Sequence, residues 1–180
     1  MAKLLYSASM SVDGFIAGPG GDMSWLTDYP GPNPVLDDLL GRIGALLVGG
    51  RTYGGDDPYR DTPQHGEPFG GGWGGPQFVL TYRRPDESVP GVTFVDNFDD
   101  AVSMARAAAG DRYVNVLGAS VAAQCLAAGV LDEILVYIVP VLLGDGVRLF
   151  DHRGDANVEL EQMSVSEAPQ GTNMSLKVVR

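Results

Sequence analysis

Apolar positions change spacing several times along the chain, and each change marks a new element. Leu4 to Met10 is strand-like, and Val12-Asp13-Gly14 closes it as a tight turn. A short extended piece, Phe15-Ile16-Ala17, leads into a loop from Gly18 to Asp22. Asn33-Pro34 predicts a helix start, an N-cap residue followed by proline at the first helical position. Val35, Leu36, Leu39, Leu40 and Ile43 supply its apolar face, and Gly44 reads as its stop. Leu46-Leu47-Val48 is fully apolar, as expected of a buried strand. The stretch from Gly54 to Gly75 carries eight glycines and reads as one long loop.

Strands follow at Phe78 to Thr81 and Val92 to Val95. Asn97 caps a second helix, Asp99 and Asp100 sit in its positive first turn, and Gly110 ends it. Tyr113 to Leu117 is a strand that passes through Gly118 into a helix with the stripe Val121, Ala122, Cys125 and Leu126. Ile134 to Val139 is the next strand. In the tail, Val158 and Leu160 share a face, then Met163 and Val165 do, with a slip of one that predicts a β-bulge. Met174, Leu176 and Val178 alternate again beyond Pro169-Gln170-Gly171-Thr172, which completes a terminal hairpin. Alternating strands and helices predict an α/β fold: a mixed, mostly parallel central sheet, helices on both faces, and a C-terminal antiparallel hairpin. Ligands in such folds bind at the carboxyl ends of the strands.

The 180 residues are expected to form one domain spanning 1–180. A net charge of −11 argues against binding nucleic acid or an anionic membrane surface. The single cysteine, Cys125, excludes an internal disulfide and lies on a helix's apolar stripe, where it reads as core. No metal is expected, since His65 and His152 lack ligand-like neighbours. With no membrane-length apolar run and no signal-like start, a cytoplasmic location is expected. Asp56 and Asp57 read as solvated loop charges. Asp13, before glycine in a tight turn, reads as bonding its own backbone.

Two strand-to-helix junctions carry the candidate chemistry. In Gly49-Gly50-Arg51-Thr52-Tyr53, glycines let a ligand approach the backbone, and N–H groups, the Thr52 hydroxyl and the Arg51 charge suit an anion. Taken alone, the pattern also fits an ordinary turn with a surface arginine. Gly118-Ala119-Ser120-Val121 repeats the arrangement. Two such junctions suit a ligand with phosphates on both arms, a dinucleotide being the common case. Tyr82-Arg83-Arg84 is a local basic exception that suits a 2′-phosphate or, equally, a solvated strand end. Trp73, between glycine pairs, reads as a lid over a ligand or as a residue buried in a partner subunit.

These blocks, with Ser9 to Ala17, Leu131 to Ile134 and Val139-Pro140-Val141-Leu142-Leu143-Gly144-Asp145-Gly146, resemble the dihydrofolate-reductase-like superfamily. The similarity is to the branch of the reductase, C-terminal domain of bacterial RibD. The resemblance implies an NADPH-dependent reductase, with NADH as the other possibility, acting on a small pyrimidine- or pterin-like heterocycle or a C=N or C=O group. By resemblance Ser9, Ile16 and Ala17 line the nicotinamide. Gly49, Thr52 and Tyr53 form the first phosphate turn, Leu80, Thr81 and Tyr82 the adenosine side, and Gly118, Ala119, Ser120 and Val121 the second phosphate turn. Trp25 matches the substrate-pocket tryptophan. Three departures stand out. Gly50 replaces an arginine that meets the 2′-phosphate, so Arg51, Arg83 or Arg84 must supply that charge. Ala119 replaces a glycine. The expected pocket acid falls on Pro30, with Asp28 the offset carboxylate. Two rivals keep the fold: a non-catalytic nucleotide-binding protein and a flavin-binding protein. The apolar strand Ile134 to Val139 and the resemblance lead to the expectation of a homodimer.

Overall fold

Eight strands hydrogen-bond into one sheet in the order β5-β4-β3-β6-β1-β7-β10-β9. They are β1 (Leu4–Ser11), β3 (Ile43–Gly49), β4 (Gln77–Leu80), β5 (Val92–Val95), β6 (Tyr113–Leu117), β7 (Leu131–Val139), β9 (Leu160–Ala168) and β10 (Gly171–Val178). A separate two-stranded ribbon joins β2 (Phe15–Ala17) to β8 (Val147–Arg148). The computed structural model describes residues 1–55, 58–59, 63–64, 66–83, 85–86, 88–151 and 157–180. Asp56, Asp57, His65, Arg84 and His152 lie outside those residues.

The pairs from β5 through β7 are parallel, and β10 pairs antiparallel with both β7 and β9. Among the described residues four α-helices complete the fold: α1 (Pro34–Arg42), the single turn α2 (Gly50–Tyr53), α3 (Phe98–Ala109) and α4 (Ala119–Ala127). Their starts follow local chemistry. Asn33 accepts from Val35 N at 3.2 Å and Asn97 from Asp100 N at 3.0 Å, each satisfying a donor the helix cannot. Ala101, Val102 and Ala105 of α3 and Val121, Ala122 and Cys125 of α4 are buried in one cluster with Leu4, Tyr6, Leu47, Val114 and Val116. Leu39 of α1 is buried in a second cluster, with Leu5, Leu46, Val48, Val79 and Leu135. The helices thus cover both faces, as the alternation in the sequence predicts.

Several details differ from the sequence reading. α1 ends at Arg42, and Ile43 and Gly44 already belong to β3. Gly44 is a packing residue rather than a helix stop: a Cβ there would stand 2.5 Å from Ala109 O, at the end of α3. The long loop contains a short 3-10 segment, Pro68–Gly71. Trp73 is held within the chain itself. It packs on the α1 cluster and donates from Nε1 to Ile43 O at 3.4 Å. The apolar strand invoked for a dimer is β7, which sits inside the sheet between β1 and β10. Its apolar character is used there, so it gives no argument for a second copy. The predicted bulge is present: the β10–β9 register shifts between Ser175 and Leu176, opposite Met163. Among the described residues no helix is long and apolar enough to cross a membrane.

Candidate functional site

The two glycine junctions stand side by side because β3 and β6 are neighbours, with Val48 opposite Leu117. β3 runs into α2 and β6 into α4, so both turns open at the same edge of the sheet. Gly118 has φ 106°, a conformation that side chains avoid, and a Cβ on it would strike Thr52 Oγ1. A Cβ on Gly49 would stand 3.6 Å from Ser120 Oγ and 3.7 Å from Val121 Cγ1. Thr52, Gly49, Gly118 and Ser120 therefore form one small cradle.

The cradle is lined with free donors. The first bond in α4 runs from Ala122 N to Gly118 O, and no side chain caps the helix. The N–H groups of Ala119, Ser120 and Val121 thus lack acceptors within the helix. The Val121 side chain belongs to the core, so only its N–H faces the turn. Such a helix start suits an anion.

The next strand over, β4, carries the residues that the resemblance assigns to the adenosine side. A Cβ on Gly50 would lie 2.8 Å from both Cβ and Oγ1 of Thr81, and 3.2 Å from Leu80 O. This explains the glycine: Thr81 fills the space that a side chain at position 50 would need. Thr81 Oγ1 accepts from Arg83 N at 3.1 Å, which shapes the turn carrying Tyr82 and Arg83. Arg51 and Arg83 are exposed, and Tyr82 is 90% exposed. Tyr53 packs edge-on to Phe94 with ring centroids 5.4 Å apart. Positive charge and an open aromatic ring therefore flank the β4 end of the site, against the acidic balance of the chain.

On the other side of β6 lies β1, with Ser9 half-buried near its end. From β4 to β1 is three strand spacings, about 14 Å. Ile16 is half-buried and Ala17 buried in β2, which packs against β1 after the Asp13 turn.

Asp13 ties this end together. Its carboxylate accepts from Ser11 Oγ at 2.6 Å, Gly144 N at 2.7 Å and Leu143 N at 3.1 Å. The Ser11 hydroxyl and those two amides hold its pKa down from 3.8 to about 2. A carboxylate depressed in the folded state stabilises above its unfolded value and loses that contribution as pH falls through the folded one. Asp13→Asn is therefore expected to lower the melting temperature near neutral pH. Its deficit against the unsubstituted protein should shrink between pH 3.8 and pH 2. A deficit that stays constant in thermal melts across that window would contradict the assignment.

On the substrate side, Trp25 is half-buried in a 3-10 turn, Ser24–Asp28, and its ring stacks edge-on to Tyr29. Asp28 is exposed at the end of that turn. The buried polar residue of this segment is instead Asn33, 8% exposed, which pairs with Asn173, 3% exposed. The two amides exchange hydrogen bonds at 2.9 and 3.1 Å. Sequence reading placed Asn33 only as a helix cap. Its second role depends on a residue 140 positions away. Cys125 is buried, and burial pushes its thiol up to about 12, which keeps it out of the chemistry. Among the described residues no group of acids, histidines or cysteines is placed to hold a metal.

Comparison with known proteins bears on the family and the fold. A protein assigned by name to riboflavin biosynthesis, from Shewanella sp. PV-4, aligns over 100% of both chains with 23% identity and a TM-score of 0.75. The diaminohydroxyphosphoribosylaminopyrimidine deaminase/5-amino-6-(5-phosphoribosylamino)uracil reductase of Thermotoga maritima aligns over 99% of this chain and 57% of its own, with 16% identity and a TM-score of 0.70. The present chain thus spans a little over half of that two-activity protein. Dihydrofolate reductase from Enterococcus faecalis, solved with NADP(H), aligns over 98% of this chain and 95% of its own, with 16% identity and a TM-score of 0.62. At these identities the structural likeness shows the fold. No curated protein matches the sequence. The model of the RibD C-terminal domain matches residues 2–174, nearly the whole chain. The chain therefore belongs to the RibD C-terminal domain family and has the dihydrofolate-reductase-like fold.

Proposed function

We propose that the protein is an NADPH-dependent reductase that delivers hydride to a small heterocycle or to a C=N or C=O group. The observation that carries this reading is the joint cradle of Thr52 and Gly118, formed by two glycine turns on adjacent parallel strands. A Cβ at Gly118 or Gly50 would run into Thr52 or Thr81, so both glycines are required by the close packing that brings the two turns together. The family is one of NAD(P)H-dependent reductases, which supports the same reading.

Thr52, Gly118 and the N–H groups of Ala119, Ser120 and Val121 would hold the pyrophosphate. Leu80, Thr81 and Tyr82 would take the adenosine. Arg51 and Arg83, both exposed at that end, would take the 2′-phosphate in place of the side chain that Gly50 lacks. Ser9, Ile16 and Ala17 would line the nicotinamide. Bound there, NADPH supplies the hydride, and the chain supplies position and exclusion of water. No carboxylate stands beside Ser9 on the described strands: its partner on β7 is Tyr137.

The test is a titration of purified protein with NADPH and with NADH, followed by nicotinamide fluorescence. Micromolar NADPH binding is the expected result. Absence of binding by either at millimolar concentration would overturn the reading, and a coloured, flavin-loaded preparation would replace it.

A further inference from the structure

The segment that leads into α1 is tied to the rest of the protein at few places. Residues 23–32 include none that is fully buried. Their hydrogen bonds are local. Met23 O accepts from Leu26 N at 3.1 Å, Leu26 O from Tyr29 N at 3.1 Å, and Ser24 O from the Thr27 hydroxyl at 2.7 Å. Ser24 N donates to Asp22 Oδ1 at 2.9 Å. Trp25 meets Tyr29 edge-on within the same stretch, and its Nε1 is buried without a partner. Among the described residues, no hydrogen bond runs from residues 23–32 to a strand of the sheet.

The fixed point lies just beyond, at Asn33. Its amide is buried and exchanges two hydrogen bonds with Asn173, while its Oδ1 also accepts from Val35 N. Asn173 sits on β10, with Tyr137 of β7 on one side and Ser166 of β9 on the other. Pairing on both sides holds its backbone, so it is a rigid anchor. The cap alone does not require this partner. Asn33 Oδ1 can accept from Val35 N wherever the helix lies, whereas the exchange with Asn173 ties the helix start to one point of the sheet.

The link from that anchor back to Trp25 is stiff. It reads Tyr29-Pro30-Gly31-Pro32-Asn33-Pro34, with proline at every second position. Each proline fixes its own φ and biases the residue before it toward an extended backbone. Asn33 follows this, with φ −127° and ψ 92°. Gly31, the adaptable member, is backed by the turn between β9 and β10: a Cβ on it would stand 3.4 Å from Gln170 Cγ.

We propose that Asn173 is a positioning residue: acting through Asn33 and the proline link, it sets where Trp25 stands on the substrate side. The C-terminal hairpin thereby places a residue of the N-terminal segment that has no tie of its own to the sheet. This rests on the reductase reading, which is what makes the Trp25 side the substrate side.

The test uses the full chain carrying Trp73→Phe, which leaves Trp25 as its one tryptophan. Acrylamide quenching and the emission maximum report the surroundings of Trp25. Asn33→Ser keeps a good N-cap and loses the reach to Asn173. Asn173→Leu removes the partner and leaves the Asn33 amide unpaired. Both are expected to raise the quenching constant at least twofold and to shift the emission to the red, with the NADPH dissociation constant within twofold of the parent. Unchanged quenching in Asn33→Ser, even with a lowered melting temperature, would reduce the pair to an anchor of α1 and overturn the proposal. An equal loss of NADPH binding would overturn it too, because the change would then extend across the sheet. Should Asn173→Leu fail to fold, Asn33→Ser decides. Failure of the parent to bind NADPH removes the reductase reading instead, since the Trp25 signal does not involve the cofactor.

Discussion

Gly118→Ala is expected to weaken NADPH binding roughly ten- to a hundredfold. Two causes act together. Position 118 has φ 106°, and a non-glycine residue held in such a conformation costs about 1–3 kcal/mol. The added methyl also meets Thr52 Oγ1, so the turn must open or Thr52 must leave it. Either movement displaces the N–H groups of Ala119 and Ser120 from the cradle. Ser120→Trp fills the same place without backbone strain and is expected to abolish binding while far-ultraviolet circular dichroism stays native. If both variants keep the parent affinity, this junction is not part of the cofactor site.

Arg51→Ala is expected to separate the two cofactors. A charge-assisted hydrogen bond is worth about 1.5–3 kcal/mol, so NADPH affinity should fall roughly ten- to a hundredfold, with NADH nearly unchanged. The reason lies next door. Thr81 occupies the space beside Gly50, so the 2′-phosphate has no partner at position 50 and needs charge from Arg51 or Arg83. Arg83→Ala in the same titration shows how the load is divided. An equal loss of NADPH and NADH in Arg51→Ala would assign Arg51 to the fold or the pyrophosphate and not to the 2′-phosphate.

The parts of the fold legible in the sequence are those with local causes. Asn33 and Asn97 cap helices through residues two and three positions ahead, so both helix starts could be read directly. The β9 bulge appeared as a slip in alternation, because each strand residue changes face with its neighbour. Asp13 was legible as a backbone-bonding turn residue. Its far partners, Leu143 and Gly144, were not. Gly44 looked like a helix stop, because the close approach of Ala109 that requires it comes from another element. Trp73 looked like a lid because its acceptor, Ile43 O, is 30 positions away. β8, two residues long, is defined by its pairing with β2 and leaves no periodicity to read.

The same distinction divides the site. Each glycine junction was visible as strand, glycine and helix start. That the two are adjacent follows from β6 inserting between β3 and β1, a matter of strand order that periodicity does not encode.

A crystal structure of the protein soaked with NADPH tests the central claim most directly. The account predicts density running along the strand ends from β4 to β1, with the pyrophosphate between Thr52 and Ser120 and the nicotinamide against Ser9. Density elsewhere on the molecule, with the Thr52–Gly118 cradle closed by its own side chains, would contradict it.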